Sequence, residues 1–114
     1  MPRSPITTHV LDVSRGVPAV GVPVVLDIQD GNKWTRLANG VTDADGRASE
    51  LLPPGPLTEG VYRLTFDTEA YQTSLFSETF FPRIPIIFKV WDGTHHYHVP
   101  LLLSPFGYST YRGT

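Results

Sequence analysis

The side chains able to do chemistry in this chain fall at three separated places. His9 stands near the start, Arg47 in the middle, and His95, His96 and His98 near the end, followed by Tyr111-Arg112-Gly113-Thr114. An imidazole, with an ordinary pKa of about 6.5, can take a proton from water or return one to a leaving group at neutral pH. A guanidinium presents a planar fork of donors that fits carbonyl and ring-nitrogen edges and can hold charge developing on an attacked carbonyl oxygen. In the tail, Tyr111 brings a ring face and a hydroxyl. Gly113 permits a close backbone approach or an unusual φ, and Thr114 brings another hydroxyl. Each feature also has a plain structural reading: surface histidines, an arginine beside a turn, and an edge strand that ends the chain.

Strands are the elements that must position these groups. Residues 96–103 alternate, with Val99, Leu101 and Leu103 on one face and His96, His98 and Leu102 on the other. Residues 6–13 do the same: Ile6, Thr8, Val10 and Asp12 oppose Thr7, His9, Leu11 and Val13. His9 and His98 therefore stand off the apolar faces, on the outside of a sheet or at an interface. Arg47 follows the turn Asp43-Ala44-Asp45-Gly46 and opens a short edge strand over 47–51. Further strands are expected over 22–30, 34–42, 60–67, 84–91 and 106–112. Asp30-Gly31-Asn32 makes a hairpin turn, and one short helix over 68–76 is capped by the Thr68 hydroxyl. Ten glycines and eleven prolines, spread evenly, suit short strands joined by turns. An all-β sandwich of about eight strands is the natural architecture, and 114 residues make a single domain, 1–114.

Composition removes several classes of function. A net charge of −2 with no basic stripe argues against nucleic acid as a partner. No apolar run reaches the roughly 20 residues of a membrane helix, so no membrane partner is expected. Residues 1–4, Met-Pro-Arg-Ser, lack the apolar region of a secretory signal, and Arg-Gly-Thr is not a peroxisomal Ser-Lys-Leu address. The expected location is cytoplasmic or peroxisomal. With no cysteine there is no disulfide framework. His95, His96 and His98 raise a metal site, since His-x-His sets two imidazoles on one strand face, but a third ligand is needed and neither metal nor cofactor is expected. Asp43-x-Asp45-Gly46 lacks the later ligands of a calcium loop. No G-x-S-x-G elbow occurs.

The run His96-Tyr97-His98-Val99-Pro100-Leu101-Leu102-Leu103-Ser104-Pro105, continuing to Tyr111-Arg112-Gly113-Thr114, resembles the C-terminal signature of the transthyretin-like 5-hydroxyisourate hydrolases. Those chains typically close on Tyr-Arg-Gly-Ser; here Thr114 replaces the serine. The resemblance extends to Thr7-Thr8-His9-Val10-Leu11-Asp12 and to Asp43-Ala44-Asp45-Gly46-Arg47, and so covers nearly the whole chain. It implies a prealbumin-like sandwich of two four-stranded antiparallel sheets and one short helix. It also implies a homotetramer, a dimer of dimers, with active sites where the dimers meet. The implied substrate is a small purine-derived molecule, 5-hydroxyisourate, opened by hydrolysis of a ring C–N bond in urate degradation. On this basis His9, Arg47, His98 and Thr114 are the expected catalytic residues. His9, Arg47 and His98, with Tyr111, Arg112 and Gly113, are expected to bind substrate. Of the histidines, His98 is assigned as base and His9 as its partner or as a substrate orienter. The rival reading is a transthyretin-like carrier of thyroid-hormone-type ligands in the same channel, and a third is a structural sandwich of the broader group. A carrier of apolar aromatics calls for an apolar channel, and the His, Arg and tail positions discriminate against it.

Overall fold

The structure is a computed structural model that describes residues 3–75 and 78–114. The strands in chain order are β1 (Ile6–Asp12), β2 (Val17–Pro18), β3 (Pro23–Asp30), β4 (Lys33–Val41), β5 (Arg47–Ala48), β6 (Gly60–Asp67), β7 (Arg83–Val90), β8 (Tyr97–Ser104) and β9 (Gly107–Thr110). The helix α1 (Glu69–Leu75) lies between β6 and β7. They form two sheets. One runs β4-β3-β6-β7; the other runs β2-β1-β8-β9, with β5 also paired to β1. Five strands stand where four were expected, because β2 and β5 share one edge of β1. Proline at 18 and glycine with φ +69° at 16 make the β2 segment look like a turn, yet Leu11 and Asp12 pair with it. A second departure is the parallel pairing of β1 with β8; among the described residues every other strand pairing is antiparallel.

The core lies between the sheets and is built by period-two alternation. Ile6 and Val10 of β1 and Leu101 and Leu103 of β8 face Leu26, Leu64, Phe66 and Ile84 of the other sheet, all with at most 1% of their surface exposed. Each large apolar side chain removed from water in this way contributes about 1.5–3 kcal/mol. A bulge interrupts β3–β4 between Leu26 and Asp27: Leu26 pairs with Ala38 and Asp27 with Arg36, so Leu37 is skipped and stays exposed.

Helix α1 fastens the far end of the β1–β8 pair. Tyr71 donates to Asp12 Oδ2 (2.7 Å), and Gln72, fully buried, donates to the Ser104 carbonyl (2.7 Å). Burial, with the Asp12 carboxylate beside it, pushes the Tyr71 hydroxyl up to about 12. The Thr68 hydroxyl does not cap the helix as expected; it donates to the Phe81 carbonyl at 2.6 Å. Phe76, the expected helix end, lies outside the described residues. Among the described residues no helix is long and apolar enough to cross a membrane.

Candidate functional site

Parallel pairing decides which side chains meet. Because β1 and β8 start at the same end, Thr7 pairs with His98 and His9 with Pro100. On the other edge of β1, antiparallel β5 sets Arg47 opposite His9. Thr7, His9, His98 and Arg47 therefore share the outward face of the five-stranded sheet, while Ile6, Thr8 and Val99 face inward. The alternation read from the sequence assigned these faces, and the pairing brings residues about 90 positions apart into contact, as the 91-residue separation of Thr7 and His98 shows.

Arg47 is held by its turn. The Asp43 carboxylate accepts from the backbone N–H of Asp45 (2.9 Å) and of Arg47 (3.0 Å). These bonds, that of Arg47 first, hold the Asp43 carboxyl below the usual carboxylate range. The turn is bound to β1 through Val10, whose N–H donates to the Gly46 carbonyl at 2.7 Å. Only glycine fits at 46: its φ is +74°, and a Cβ would lie 2.6 Å from the Val10 carbonyl oxygen.

The tail approaches from the β8 side. Beyond β9 the expected strand gives way to an isolated bridge, in which the Gly113 N–H donates to the His98 carbonyl at 2.8 Å. A Cβ on Gly113 would stand 2.6 Å from His98 Cδ2, so the residue serves close approach, and its φ is not positive. Thr114 then lines a cleft of about 120 Å³ together with Arg3, Thr7, Arg47, Ser49 and His98. Arg112 turns elsewhere. Its guanidinium lies over the rings of Trp91 (4.9 Å) and Tyr97 (4.7 Å) and donates to the His96 carbonyl (3.3 Å). Tyr111 and Arg112 line a separate, more apolar cleft of about 290 Å³ beside Ile87 and Trp91. The cleft thus gathers Arg47, His98 and Thr114. Gly113 lies against it and His9 stands two residues beyond Thr7 on the same face, while Tyr111 and Arg112 are not brought to it.

Thr7 and His96 complete the arrangement. Thr7 Oγ1 lies 2.8 Å from His98 Nδ1 and 3.0 Å from His96 Nε2. Both imidazoles are pushed below their ordinary value. For His98 the cause is burial first, then the charges of Arg47, His96, His9 and Arg3; for His96 it is burial, then Arg3 and Arg112. Near neutral pH the cleft therefore holds neutral imidazole beside guanidinium, a set suited to deprotonating water while stabilising an oxyanion. The His-x-His pair turns to Thr7, and among the described residues no three of His, Asp and Glu are gathered to hold an ion. Thr7, Arg3 and Ser49 were not singled out by the sequence. The signal for Thr7 was present, two residues before His9 on the same face.

A two-sheet sandwich with a short helix, carrying imidazoles and an arginine on the outer face of one sheet, defines a transthyretin-like class of protein. The sequence model of the HIUase/Transthyretin family matches residues 6–113, and the chain belongs to that family. A 5-hydroxyisourate hydrolase of Salmonella dublin is 49% identical over 109 residues, covering 96% of this chain and 80% of the relative. Among solved structures, the 5-hydroxyisourate hydrolase of Klebsiella pneumoniae superposes with a TM-score of 0.82 at 41% identity over 96% of this chain and 98% of that one. Sea bream transthyretin in complex with thyroxine superposes with a TM-score of 0.90 at 36% identity over 97% and 96%.

Proposed function

We propose that this chain is a 5-hydroxyisourate hydrolase, an enzyme of urate degradation, and that the cleft between Arg47, His98 and Thr114 is its active site. The observation that carries the reading is the convergence of these three residues, from β5, β8 and the tail, on one small polar cleft. Neutral His98 takes a proton from water as the water oxygen bonds to the ring carbonyl carbon. Arg47 donates to the carbonyl oxygen as it becomes an oxyanion. The C–N bond of the six-membered ring then breaks. The departing nitrogen receives a proton, and the ring opens to a carboxylate and a ureido group, giving 2-oxo-4-hydroxy-4-carboxy-5-ureidoimidazoline. His9, across from Arg47, orients the substrate or supplies that proton. Thr114 closes the cleft with its hydroxyl.

The reading extends to assembly: four copies form a dimer of dimers, and the outward face bearing His9 and His98 meets its counterpart. Family membership supports this. So do β7 and β9, each the last strand of its sheet, flanking the apolar cleft at Ile87 and Trp91.

The test is direct. 5-Hydroxyisourate made in place by urate oxidase decays spontaneously, and its ultraviolet absorbance reports the rate. The chain is expected to accelerate that decay greatly, and His98→Asn to lower turnover by about 10²–10⁴-fold while the fold persists. No acceleration by the folded protein, together with saturable thyroxine binding, would replace this reading with the carrier. The likeness to thyroxine-bound transthyretin keeps that alternative in view. Against it stands the polar lining of the cleft.

A further inference from the structure

Thr7 takes no part in the chemistry above, yet its hydroxyl lies between two imidazoles. The residue is buried on β1, and branching at Cβ restricts its χ1. Its Oγ1 lies within hydrogen-bond distance of His98 Nδ1 (2.8 Å) and His96 Nε2 (3.0 Å). A hydroxyl has one hydrogen and two lone pairs, so at least one of the two rings must donate to it. Where His98 donates from Nδ1, Thr7 either donates on to His96 or accepts from it as well, and His98 Nε2 keeps a lone pair directed away from Thr7. Where Thr7 instead donates to His98 Nδ1, His98 carries its hydrogen on Nε2.

The surroundings favour His98 as the donor. Arg3 and Arg47 line the same cleft as His98, and a guanidinium has hydrogens to give and no lone pair to offer, so a lone pair on Nε2, the nitrogen not turned to Thr7, suits them better than a hydrogen. Burial and the nearby Arg3 and Arg112 favour a neutral His96, whose Nε2 can then accept from Thr7. Arg47 from β5, His9 from β1 and Arg3 from the N-terminal segment also face His98, and all disfavour a second hydrogen on it. On the far side of that ring, Gly113 covers Cδ2, the carbon bonded to Nε2.

We infer that Thr7 is a positioning residue: accepting from His98 Nδ1–H and donating to His96 Nε2, it fixes His98 in the tautomer whose Nε2 is free to take a proton from water. The purpose of this relay rests on the hydrolase reading; its geometry does not.

The decisive measurement is the ¹⁵N chemical shift of the His98 ring nitrogens in the full chain at neutral pH. Nδ1 is expected in the range of a protonated nitrogen and Nε2 in that of a free lone pair. Thr7→Val keeps the shape and removes the acceptor, and should move His98 toward the Nε2–H form; Thr7→Ser should restore the original pattern. In parallel, Thr7→Val should lower kcat by about 10–10²-fold with KM little changed, the cost typical of losing a partner that orients an imidazole at a metal site. Thr7→Ser should recover it. A wild-type His98 protonated at Nε2, or a tautomer indifferent to Thr7→Val, overturns the inference. If the wild-type spectrum is as stated but 5-hydroxyisourate is not consumed, the functional reading fails and the relay stands.

Discussion

At the scale of the residue, the environment of His98 has a consequence for pH. A general base must be neutral, and His98 is held below the ordinary imidazole value of about 6.5. Four charged groups push the same way: Arg47 from β5, His96 from the segment before β8, His9 from β1, and Arg3 from the N-terminal segment. The profile of kcat/KM, which reports the free enzyme, should therefore have its acid midpoint below 6.5. Arg47→Gln removes one of these cations and should move the acid midpoint upward, whatever it does to the rate. Stability follows with the same sign. Below about 6.5 the unfolded chain binds more protons at His96 and His98 than the folded one does, so stability is full above that value and declines as pH falls through the depressed folded values. An acid midpoint at or above 6.5 in the wild type would show that another group controls the limb.

At the scale of the element, the tail and the Arg47 turn do the positioning, and both depend on glycine for closeness. The Arg47 turn is closed by Asp43 and bound to β1 through Gly46. The tail is held by Gly113 against β8 and by Arg112 on two aromatic rings. In Gly113→Ala the new Cβ would lie 2.6 Å from His98 Cδ2 and 3.2 Å from Pro100 Cγ, so either the imidazole or the tail must shift. A displacement of about 1 Å in a reacting group costs about 10²-fold in rate, and kcat/KM should fall by that order. Unfolding free energy should change by less than about 1 kcal/mol, because the residue lies at the surface end of the sheet. Denaturant melts beside steady-state kinetics check both; retained activity would mean that the tail's contact with His98 does not matter. Much of this was legible beforehand. Residues 60–67 alternate without interruption and are a strand at those limits, and the two faces of β1 and β8 follow the apolar pattern. Strands of two residues are too short for alternation to register, so β2 looks like a turn in the sequence and β5 was read as a longer strand. The parallel register of β1 on β8, which gives Thr7 to His98, is a pairing across most of the chain that no local pattern encodes.

At the scale of the whole molecule, the sandwich has two open edges on one side. β7 ends one sheet and β9 the other, and between them lies the apolar cleft that Tyr111 and Arg112 line. Ile87, Trp91 and Tyr111 leave 61%, 54% and 58% of their surface in water. Edge strands with free backbone groups and exposed apolar side chains are templates for another chain unless something blunts them. On β7, Arg83 and Lys89 set charge toward the two ends of the outward face and Pro85 removes one donor, which leaves Ile87 as its apolar centre. Two copies meeting along these edges would satisfy the backbone and cover the cleft, leaving the His9–His98 faces free to join two such pairs. Such an arrangement would also give Tyr111 and Arg112 a role the single chain does not show: they would fasten the tail at the edge between copies, while Gly113 and Thr114 reach the cleft. Sedimentation equilibrium is expected to return the mass of four chains. Ile87→Glu, which sets a charge on the outer side of β7 and leaves the core untouched, should reduce that mass while circular dichroism still reports the sheets. A wild-type chain that sediments as a single copy would remove the assembly, and would require the cleft formed by Arg47, His98 and Thr114 to act alone.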